Sequence, residues 1–264
     1  MIPGDIWLYL VSAVAGLIVG SFANVCIYRL PRGKSVVWPS SRCPSCQTPL
    51  KPWDNIPVLS YLMLRGKCRA CGEPISARYP LVEAANGLLY PAALYRYGTT
   101  PATLFYFLFL SAMVVITFID LDFQIIPDEI TLPGIPVGIL AGWLFLPDPF
   151  YRVADMGIAI SLTGAVTGFA LYYAIAFLSR GGMGGGDIKL MTMAGAVLGW
   201  KGVLLTTFLA SFLGSAVGIY LVIFKGKGRK SKIPFGPFLA AGALFSLFYG
   251  QEFVSWYLRH GRHW

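Results

Sequence analysis

Long apolar segments separated by short polar stretches run through most of this chain. The first extends from Ile6 to about Tyr28 and is followed by a polar stretch over 29–79. The apolar segments approach the roughly 20 residues that a helix needs to cross a bilayer. They contain glycine, proline and aromatic residues without alternation of polar and apolar positions, so they predict transmembrane helices and not barrel strands. After the first span, we predict others at about 80–97, 102–119, 130–146, 157–178, 188–200, 202–224 and 234–253.

Composition supports the membrane interpretation. The chain is 56% hydrophobic and 12% charged, with a mean hydropathy of +0.65, whereas about a quarter of the residues are charged in soluble domains. We therefore predict an all-α integral membrane protein with about eight transmembrane helices and a small cytoplasmic domain inserted between helices 1 and 2. Its predicted parts are a first transmembrane helix (1–28), the inserted domain (29–79) and a larger membrane domain (80–264).

The distribution of positive charge predicts the orientation of these spans. The net charge is +9, and the basic residues concentrate in two patches between spans, at 29–79 and 225–232. Lysine and arginine are retained on the cytoplasmic side of membrane proteins, so we place both patches there and both chain termini outside. Since topology accounts for the positive charge, we predict no nucleic-acid partner and expect the patches to contact anionic lipid.

Four of the five cysteines form two C-x-x-C motifs, which are typical of a zinc site. The motifs are Cys43–Cys46 and Cys68–Cys71, and 21 residues separate them. Four thiolates fill the tetrahedral coordination of Zn²⁺ and leave no position for water, so the predicted zinc is structural. A pair of disulfides is the alternative, which a reducing cytoplasm disfavours. Zinc would hold together a domain too small to fold on its apolar core alone.

Two groups of carboxylates lie at the ends of apolar spans. Asp120, Asp122 and Asp128 follow the third span, and Asp187 follows a glycine-rich run that begins at Gly181. Ionisable groups near hydrocarbon are candidates for functional sites because their burial is costly. The count of spans places both groups at the cytoplasmic face, within the predicted turn 120–129 and before the span at 188–200. We therefore expect them to belong to one site.

The residue types at this face favour aspartyl chemistry. The two histidines of the chain are at positions 260 and 263, near the opposite face, which excludes a Ser-His or Cys-His pair at the carboxylates. Two carboxyl groups held close together share a proton, so that one can activate water while the other protonates a peptide carbonyl. Glycines before Asp187 would let an extended substrate backbone approach this carboxylate.

A set of motifs runs along almost the whole chain. Besides both cysteine motifs and Lys189, it consists of Gly20-Ser21-Phe22-Ala23-Asn24-Val25, Arg29-Leu30-Pro31, Pro52-Trp53-Asp54-Asn55-Ile56-Pro57, Arg78-Tyr79-Pro80-Leu81-Val82-Glu83, Ile119-Asp120-Leu121-Asp122, Ile126-Pro127-Asp128, Gly184-Gly185-Gly186-Asp187 and Pro234-Phe235-Gly236-Pro237. These motifs resemble those of type IV prepilin peptidases, bacterial inner-membrane aspartyl proteases with a GxGD motif.

This resemblance implies an activity and assigns roles to residues. Asp120 and Asp187 would be the catalytic aspartates, with Asp122 and Asp128 supporting them. The implied reaction is cleavage of the leader of a prepilin or pseudopilin after a glycine, at the cytoplasmic side of the inner membrane. The resemblance also implies N-methylation of the new N-terminus, with S-adenosylmethionine as methyl donor. Asp54 and Glu83 would bind the amine or methionine part of a ligand, or would pair with arginines of the inserted domain.

Two other classes of protein remain open from the residues themselves. In a transporter, acidic residues between helices would mark an ion pathway, but they would lie near the middle of the bilayer. In a membrane scaffold, the zinc domain would bind a partner and the aspartates would be solvated loop residues. The transporter hypothesis leaves the cysteine motifs unexplained.

Overall fold

A computed structural model of the chain describes residues 3–179, 182–225 and 233–260, and these are largely helical. Gly181, the basic patch from residue 226 to 232 and the second histidine lie outside the described residues. The chain divides into two compact units, one ending at Val115 and one beginning at Ile116. The helices are α1 (Pro3–Arg29), α2 (Leu59–Met63), α3 (Arg78–Tyr97), α4 (Pro101–Phe123), α5 (Asp128–Leu144), α6 (Gly157–Leu178), α7 (Gly185–Lys225) and α8 (Gly236–His260).

The helices support the prediction of an integral membrane protein. Within the described ranges, four segments are long and apolar enough to cross a membrane: Ile6–Arg32, Pro101–Phe123, Gly157–Leu178 and Gly185–Phe224. The spans predicted at 188–200 and 202–224 both fall within α7. They meet at Gly199, whose φ of 70° and ψ of 174° interrupt the helix. The count of eight spans and their direction remain predictions.

In the first unit, α1 and α3 pack with their backbones in close contact. A Cβ atom on Gly20 would lie 2.7 Å from the Cα atom of Glu83, so only glycine fits at this crossing. Small residues allow such close packing of helices in lipid. One turn further along α1, the side-chain amide of Asn24 donates a 3.0 Å hydrogen bond to the carbonyl of Tyr79. The segment between α1 and α3 contains α2 and two 3-10 helices, Leu30–Arg32 and Pro52–Asn55.

In the second unit, α5, α6 and α8 pack around α7. The contact between α6 and α7 depends on glycine, because a Cβ atom on either Gly164 or Gly195 would collide with the carbonyl oxygen of the other. A buried hydrogen bond of 2.6 Å from the Ser161 hydroxyl to the Ala196 carbonyl also joins these helices. Small and hydroxylated residues at helix contacts are typical of membrane bundles, where the hydrophobic effect does not drive helix association.

The fold is mostly helical, as predicted, but the link between the spans predicted at 130–146 and 157–178 contains two short strands. Strands β1 (Pro147–Asp148) and β2 (Tyr151–Asp155) form a two-stranded antiparallel sheet there. The Asp148 carboxylate accepts a 2.8 Å hydrogen bond from the Phe150 amide and so stabilises the turn. This is the local bonding by which aspartate favours turns, and it permits a hairpin too short to have a clear sequence pattern.

Candidate active site and zinc centre

Asp120 lies inside helix α4 and not in the turn predicted from residue 120. The helix continues to Phe123, where Gln124 adopts a left-handed conformation with a φ of 56°. The amide of Gln124 still donates to the Asp120 carbonyl at 2.9 Å. The side chain of Asp120 is buried, with 6% of the residue exposed. Asp120 is therefore fixed by regular helical structure, which holds a carboxylate more precisely than a flexible loop would.

The N-terminus of α8 contacts the carboxylate of Asp120. The amide of Gly236, the first residue of α8, donates a buried 2.8 Å hydrogen bond to Oδ2 of Asp120. Amides in the first turn of a helix lack partners within the helix and bind anions favourably. A Cβ atom on Gly236 would lie 2.8 Å from the same oxygen, so the position leaves no space for a side chain.

Asp187 occupies the first turn of α7. Its Oδ2 atom accepts a 3.2 Å hydrogen bond from the Gly184 amide, and its own amide donates to the Gly184 carbonyl at 3.2 Å. This reciprocal pair resembles a capping box, in which the third helical residue closes the start of the helix. A Cβ atom on Gly185 would meet no atom within 4 Å, so the backbone beside Asp187 has an open side. A Cβ on Gly186 would instead lie 2.8 Å from that of Ile126.

The two aspartates that the sequence predicted as one site do interact in the structure. Asp120 and Asp187 belong to the second unit, and their carboxylates are close enough for electrostatic interaction. The intervening chain returns through α5 and α6, which both pack on α7. Ile126, in the link after α4, also contacts the Gly186 region at the start of α7. The link and the helix packing together bring the end of α4 to the beginning of α7.

The remaining candidate carboxylates have different surroundings. The ammonium group of Lys189 lies 2.7 Å from each carboxylate oxygen of Asp128, so this aspartate forms an ion pair between the start of α5 and α7. Both partners are substantially exposed, and such pairs contribute at most about 1 kcal/mol. Asp122 is exposed at the end of α4. Asp128 therefore has a structural partner in Lys189. Nothing in the sequence indicated this ion pair.

The sequence did not single out one buried tyrosine that interacts with Asp187. Tyr172 in α6 is fully buried, and its hydroxyl lies 3.2 Å from Oγ1 of Thr207. The hydroxyl of Thr207 donates to the Val203 carbonyl at 2.7 Å, so Tyr172 is the donor to Thr207. Tyr172 also lies within electrostatic range of Asp187. Its sequence context is an ordinary apolar span, which gives no signal of this position.

The two cysteine motifs fold as matching turns. The Cys43 amide donates to the Thr48 carbonyl at 3.0 Å, and the Cys68 amide donates to the Glu73 carbonyl at 2.8 Å, five residues ahead in each case. Four residues after each first cysteine, one residue has a left-handed conformation. These residues are Gln47, with a φ of 58°, and Gly72, with a φ of 73°. The two turns present their cysteines in equivalent geometry.

The four thiols form a cluster that can hold a zinc ion. The sulfur atoms of Cys43, Cys46, Cys68 and Cys71 all lie within 4.8 Å of one another, and those of Cys43 and Cys71 are 3.9 Å apart. Sulfur atoms bound tetrahedrally at the usual zinc distance are about 3.8 Å apart. The Thr48 hydroxyl, 3.3 Å from Sγ of Cys46, helps to lower the pKa of this thiol to about 6 and favours the thiolate that zinc binds.

Comparison with known proteins shows the family of this chain. Residues 14–97 match the bacterial peptidase A24 N-terminal domain, and residues 107–219 match the type IV leader peptidase family. A protein of Pseudomonas putida named prepilin leader peptidase/N-methyltransferase is 35% identical over 92% of this chain and 91% of its own length. The chain belongs to the type IV leader peptidase family. The predictions of family membership and of peptidase activity are confirmed.

Two other relatives match regions of similar length. A protein of Aeromonas hydrophila is 36% identical over 96% of this chain and 94% of its own length. One from Legionella pneumophila is 34% identical over 96% of this chain and 95% of its own length. Both are also named prepilin leader peptidase/N-methyltransferase. No solved structure matches the chain.

The structure distinguishes Asp54 from Glu83. The sequence of this family member allowed each of them either to bind a ligand or to pair with an arginine. Asp54 pairs with the guanidinium group of Arg69 at 2.7 Å, as expected if it serves as a partner of the inserted segment's arginines. Glu83 is buried, with 8% of the residue exposed, and accepts a 2.7 Å hydrogen bond from the Val58 amide. The two acids therefore have different environments, and only Asp54 is neutralised by an arginine of the inserted segment.

Substitution of Cys43 by serine tests the zinc site of this leader peptidase homologue. We expect the zinc affinity to fall by more than about 100-fold, because a thiolate ligand is lost. Loss of a residue that only hydrogen-bonds to a metal ligand already lowers metal affinity by about 10- to 100-fold. The inserted segment should lose thermal stability, since metal binding contributes to folding. Zinc content by atomic absorption and a thermal unfolding curve measure these effects. Cys26→Ser in α1 is the matched control, and equal zinc content in both variants would contradict the assignment.

Proposed function

We propose that this chain is a prepilin leader peptidase that cleaves after a glycine at the cytoplasmic side of the bacterial inner membrane. The proposal depends chiefly on the Asp120 carboxylate, which is buried, bonded to the Gly236 amide and in electrostatic contact with Asp187. The names of the relatives support prepilins as substrates. In this proposal, the dyad and the four-cysteine site both face the cytoplasm, and the chain crosses the membrane several times.

The two carboxyl groups can perform peptide hydrolysis without a metal in the reaction. One carboxylate accepts a proton from water as the water oxygen bonds to the scissile carbonyl carbon. The protonated partner donates to the carbonyl oxygen, and collapse of the tetrahedral intermediate breaks the C–N bond as the amine takes a proton. Asp120 and Asp187 are positioned by the ends of two different helices, so their separation depends on packing of the second unit.

The position of the dyad along the helices supports a peptidase over a transporter. Asp120 lies in the last turn of α4 and Asp187 in the first turn of α7. Carboxylates of an ion pathway lie near the middle of membrane helices. At a helix end, an extended peptide can reach the carboxylates while its hydrophobic helix stays in the bilayer. The open side of Gly185 provides space for such a backbone next to Asp187.

The proposed function includes N-methylation of the new N-terminus. S-adenosylmethionine, when bound, supplies an electrophilic methyl group to the exposed amine. Zinc at Cys43, Cys46, Cys68 and Cys71 would stabilise the inserted segment and take no part in either reaction, because four thiolates complete its coordination.

Incubation of the purified protein in lipid nanodiscs with a prepilin tests the proposal. We expect the leader to be removed after its glycine, and the mature chain to carry one additional methyl group only when S-adenosylmethionine is present. Mass spectrometry of the products measures both events. A prepilin with the glycine replaced by a bulky residue is the control substrate. Absence of cleavage by the wild-type protein would refute the peptidase proposal, and cleavage without methylation would refute the transferase part alone.

A further inference from the structure

The first unit contains a cavity of about 800 Å³ between α1, α3 and the inserted segment. Cofactor-sized ligands occupy cavities of roughly 300–1,000 Å³. Its wall includes Asn24 of α1, Glu83 of α3 and the aromatic side chain of Trp38, and it extends to Cys43 and Cys68 of the cysteine cluster. None of these residues belongs to the aspartate dyad, so peptide hydrolysis does not account for the cavity.

Asn24 presents an acceptor without a partner in this wall. Asn24 is 3% exposed, and its side-chain amide nitrogen donates to the carbonyls of Gly20 at 3.3 Å and Tyr79 at 3.0 Å. These two carbonyls fix the orientation of the amide, because the opposite orientation would place oxygen against oxygen. Its Oδ1 atom is buried and, among the described residues, has no hydrogen-bond partner. Such an atom costs about 1–3 kcal/mol unless a ligand or water donates to it.

Glu83 presents a negative charge to the same cavity. It accepts a 2.7 Å hydrogen bond from the Val58 amide. In the described part of the chain no lysine or arginine forms an ion pair with it. Asp54, which also lines the cavity, differs in this respect because Arg69 neutralises it. Buried carboxylates are usually paired with a cation, so the charge of Glu83 favours a cationic ligand.

Asn24 and Glu83 are held on neighbouring helices by close backbone contact between α1 and α3. Gly20 meets the backbone of Glu83, and one turn later Asn24 bonds to the backbone of Tyr79. The two acceptors therefore occupy fixed positions on rigid elements, which is the arrangement required of a specific binding site. An ammonium group has three N–H donors and a positive charge, so its chemistry suits both a neutral acceptor and a carboxylate.

The rest of the wall fits the other parts of a nucleoside-containing ligand. Trp38 and Tyr61 offer aromatic faces for stacking of a planar base, and Lys34 offers a cation for a carboxylate. We propose that this cavity binds S-adenosylmethionine, with the ammonium group of its methionine part donating to Oδ1 of Asn24 and to the carboxylate of Glu83. This inference rests on the proposed N-methylation and identifies its donor site.

The group transfer at this site is balanced without a further reactant. The neutral amine of the cleaved chain forms a C–N bond to the methyl carbon as the C–S bond breaks. The electron pair of this bond returns to sulfur and gives S-adenosylhomocysteine, and the methylated amine releases one proton to solvent. Neither step requires an oxidant or a metal, in agreement with a structural role for the cysteine cluster.

Binding of S-adenosylmethionine to Glu83→Gln tests the site directly. Isothermal titration calorimetry of the protein in nanodiscs should show a dissociation constant about 10- to 100-fold higher than that of the wild type, because a hydrogen bond to a charged group is lost. Glutamine keeps the volume of the side chain and an acceptor for the Val58 amide. Glu73→Gln is the matched control at an exposed acid of the cavity rim and should bind as the wild type does.

Leader cleavage by the same variants separates this inference from the proposed peptidase function. Glu83→Gln should cleave prepilin at the wild-type rate while its binding is weakened. An unchanged dissociation constant would overturn the site. If Glu83→Gln loses cleavage through misfolding, photolabelling of the wild type with radioactive S-adenosylmethionine decides the question. Label in the peptides that contain Asn24 or Trp38 supports the site, and label confined to other peptides refutes it.

Discussion

Replacement of Asp120 or Asp187 by asparagine is expected to reduce the rate of leader cleavage by about 10²- to 10⁴-fold. General acid–base catalysis contributes rate enhancements of this size, and asparagine can neither accept nor donate the transferred proton. Asparagine has nearly the shape of aspartate and can still accept the 2.8 Å hydrogen bond from the Gly236 amide. The fold should therefore persist, and the loss should appear in kcat. Gel or mass-spectrometric assays of the cleaved prepilin measure it.

The same substitution at an aspartate outside the dyad provides the control. Asp155 is exposed in the β1–β2 hairpin, and Asp155→Asn should cleave at the wild-type rate. Each dyad variant should also bind S-adenosylmethionine normally, which shows that the first unit remains folded. Cleavage by Asp120→Asn or Asp187→Asn at the rate of Asp155→Asn would refute the dyad assignment.

The helices could be predicted from the sequence because their signal is local. In lipid, a long apolar segment must satisfy its backbone hydrogen bonds internally, as a helix does. Every predicted span lies largely within an observed helix. The ends were less accurate, since α4 continues through Asp120 to Phe123. From the sequence, we predict a turn at Asp120 because an aspartate there ends the apolar segment. Tertiary packing and the hydrogen bond from Gly236 allow this aspartate to remain helical and buried.

The contacts that position the dyad depend on residues far apart in the chain and could not be predicted in the same way. Each cysteine motif is four residues long, so its spacing alone indicates a pair of metal ligands. The cluster of four thiols in the structure supports this prediction. By contrast, Gly236 stands in a stretch that matches the family, but nothing in the sequence relates it to Asp120, and their contact forms only where the start of α8 meets the end of α4. The same applies to the ion pair of Lys189 with Asp128.

Substitution of Gly236 by alanine is expected to reduce cleavage by about 100-fold. The new Cβ atom would lie 2.8 Å from Oδ2 of Asp120, which is closer than such atoms normally approach, and 3.2 Å from its Cβ and Cγ atoms, which is unusually tight. The carboxylate or the start of α8 must move, and a displacement of about 1 Å at a reacting group can cost about 100-fold in rate. Because substrate contacts are not removed, kcat should fall while KM changes little.

Gly218→Ala is the matched control for this experiment. A Cβ atom on Gly218 in α7 would meet only ordinary contact, with Cδ1 of Ile233 at 3.7 Å, so this variant should retain wild-type kcat and thermal stability. Loss of activity in Gly236→Ala with an unchanged melting temperature indicates displacement of Asp120, whereas an equal loss in both variants indicates a general intolerance of larger residues. Wild-type kcat in Gly236→Ala would show that catalysis does not require the contact between α8 and Asp120. The variant therefore tests whether a backbone amide, far from both aspartates in sequence, sets the geometry of the dyad.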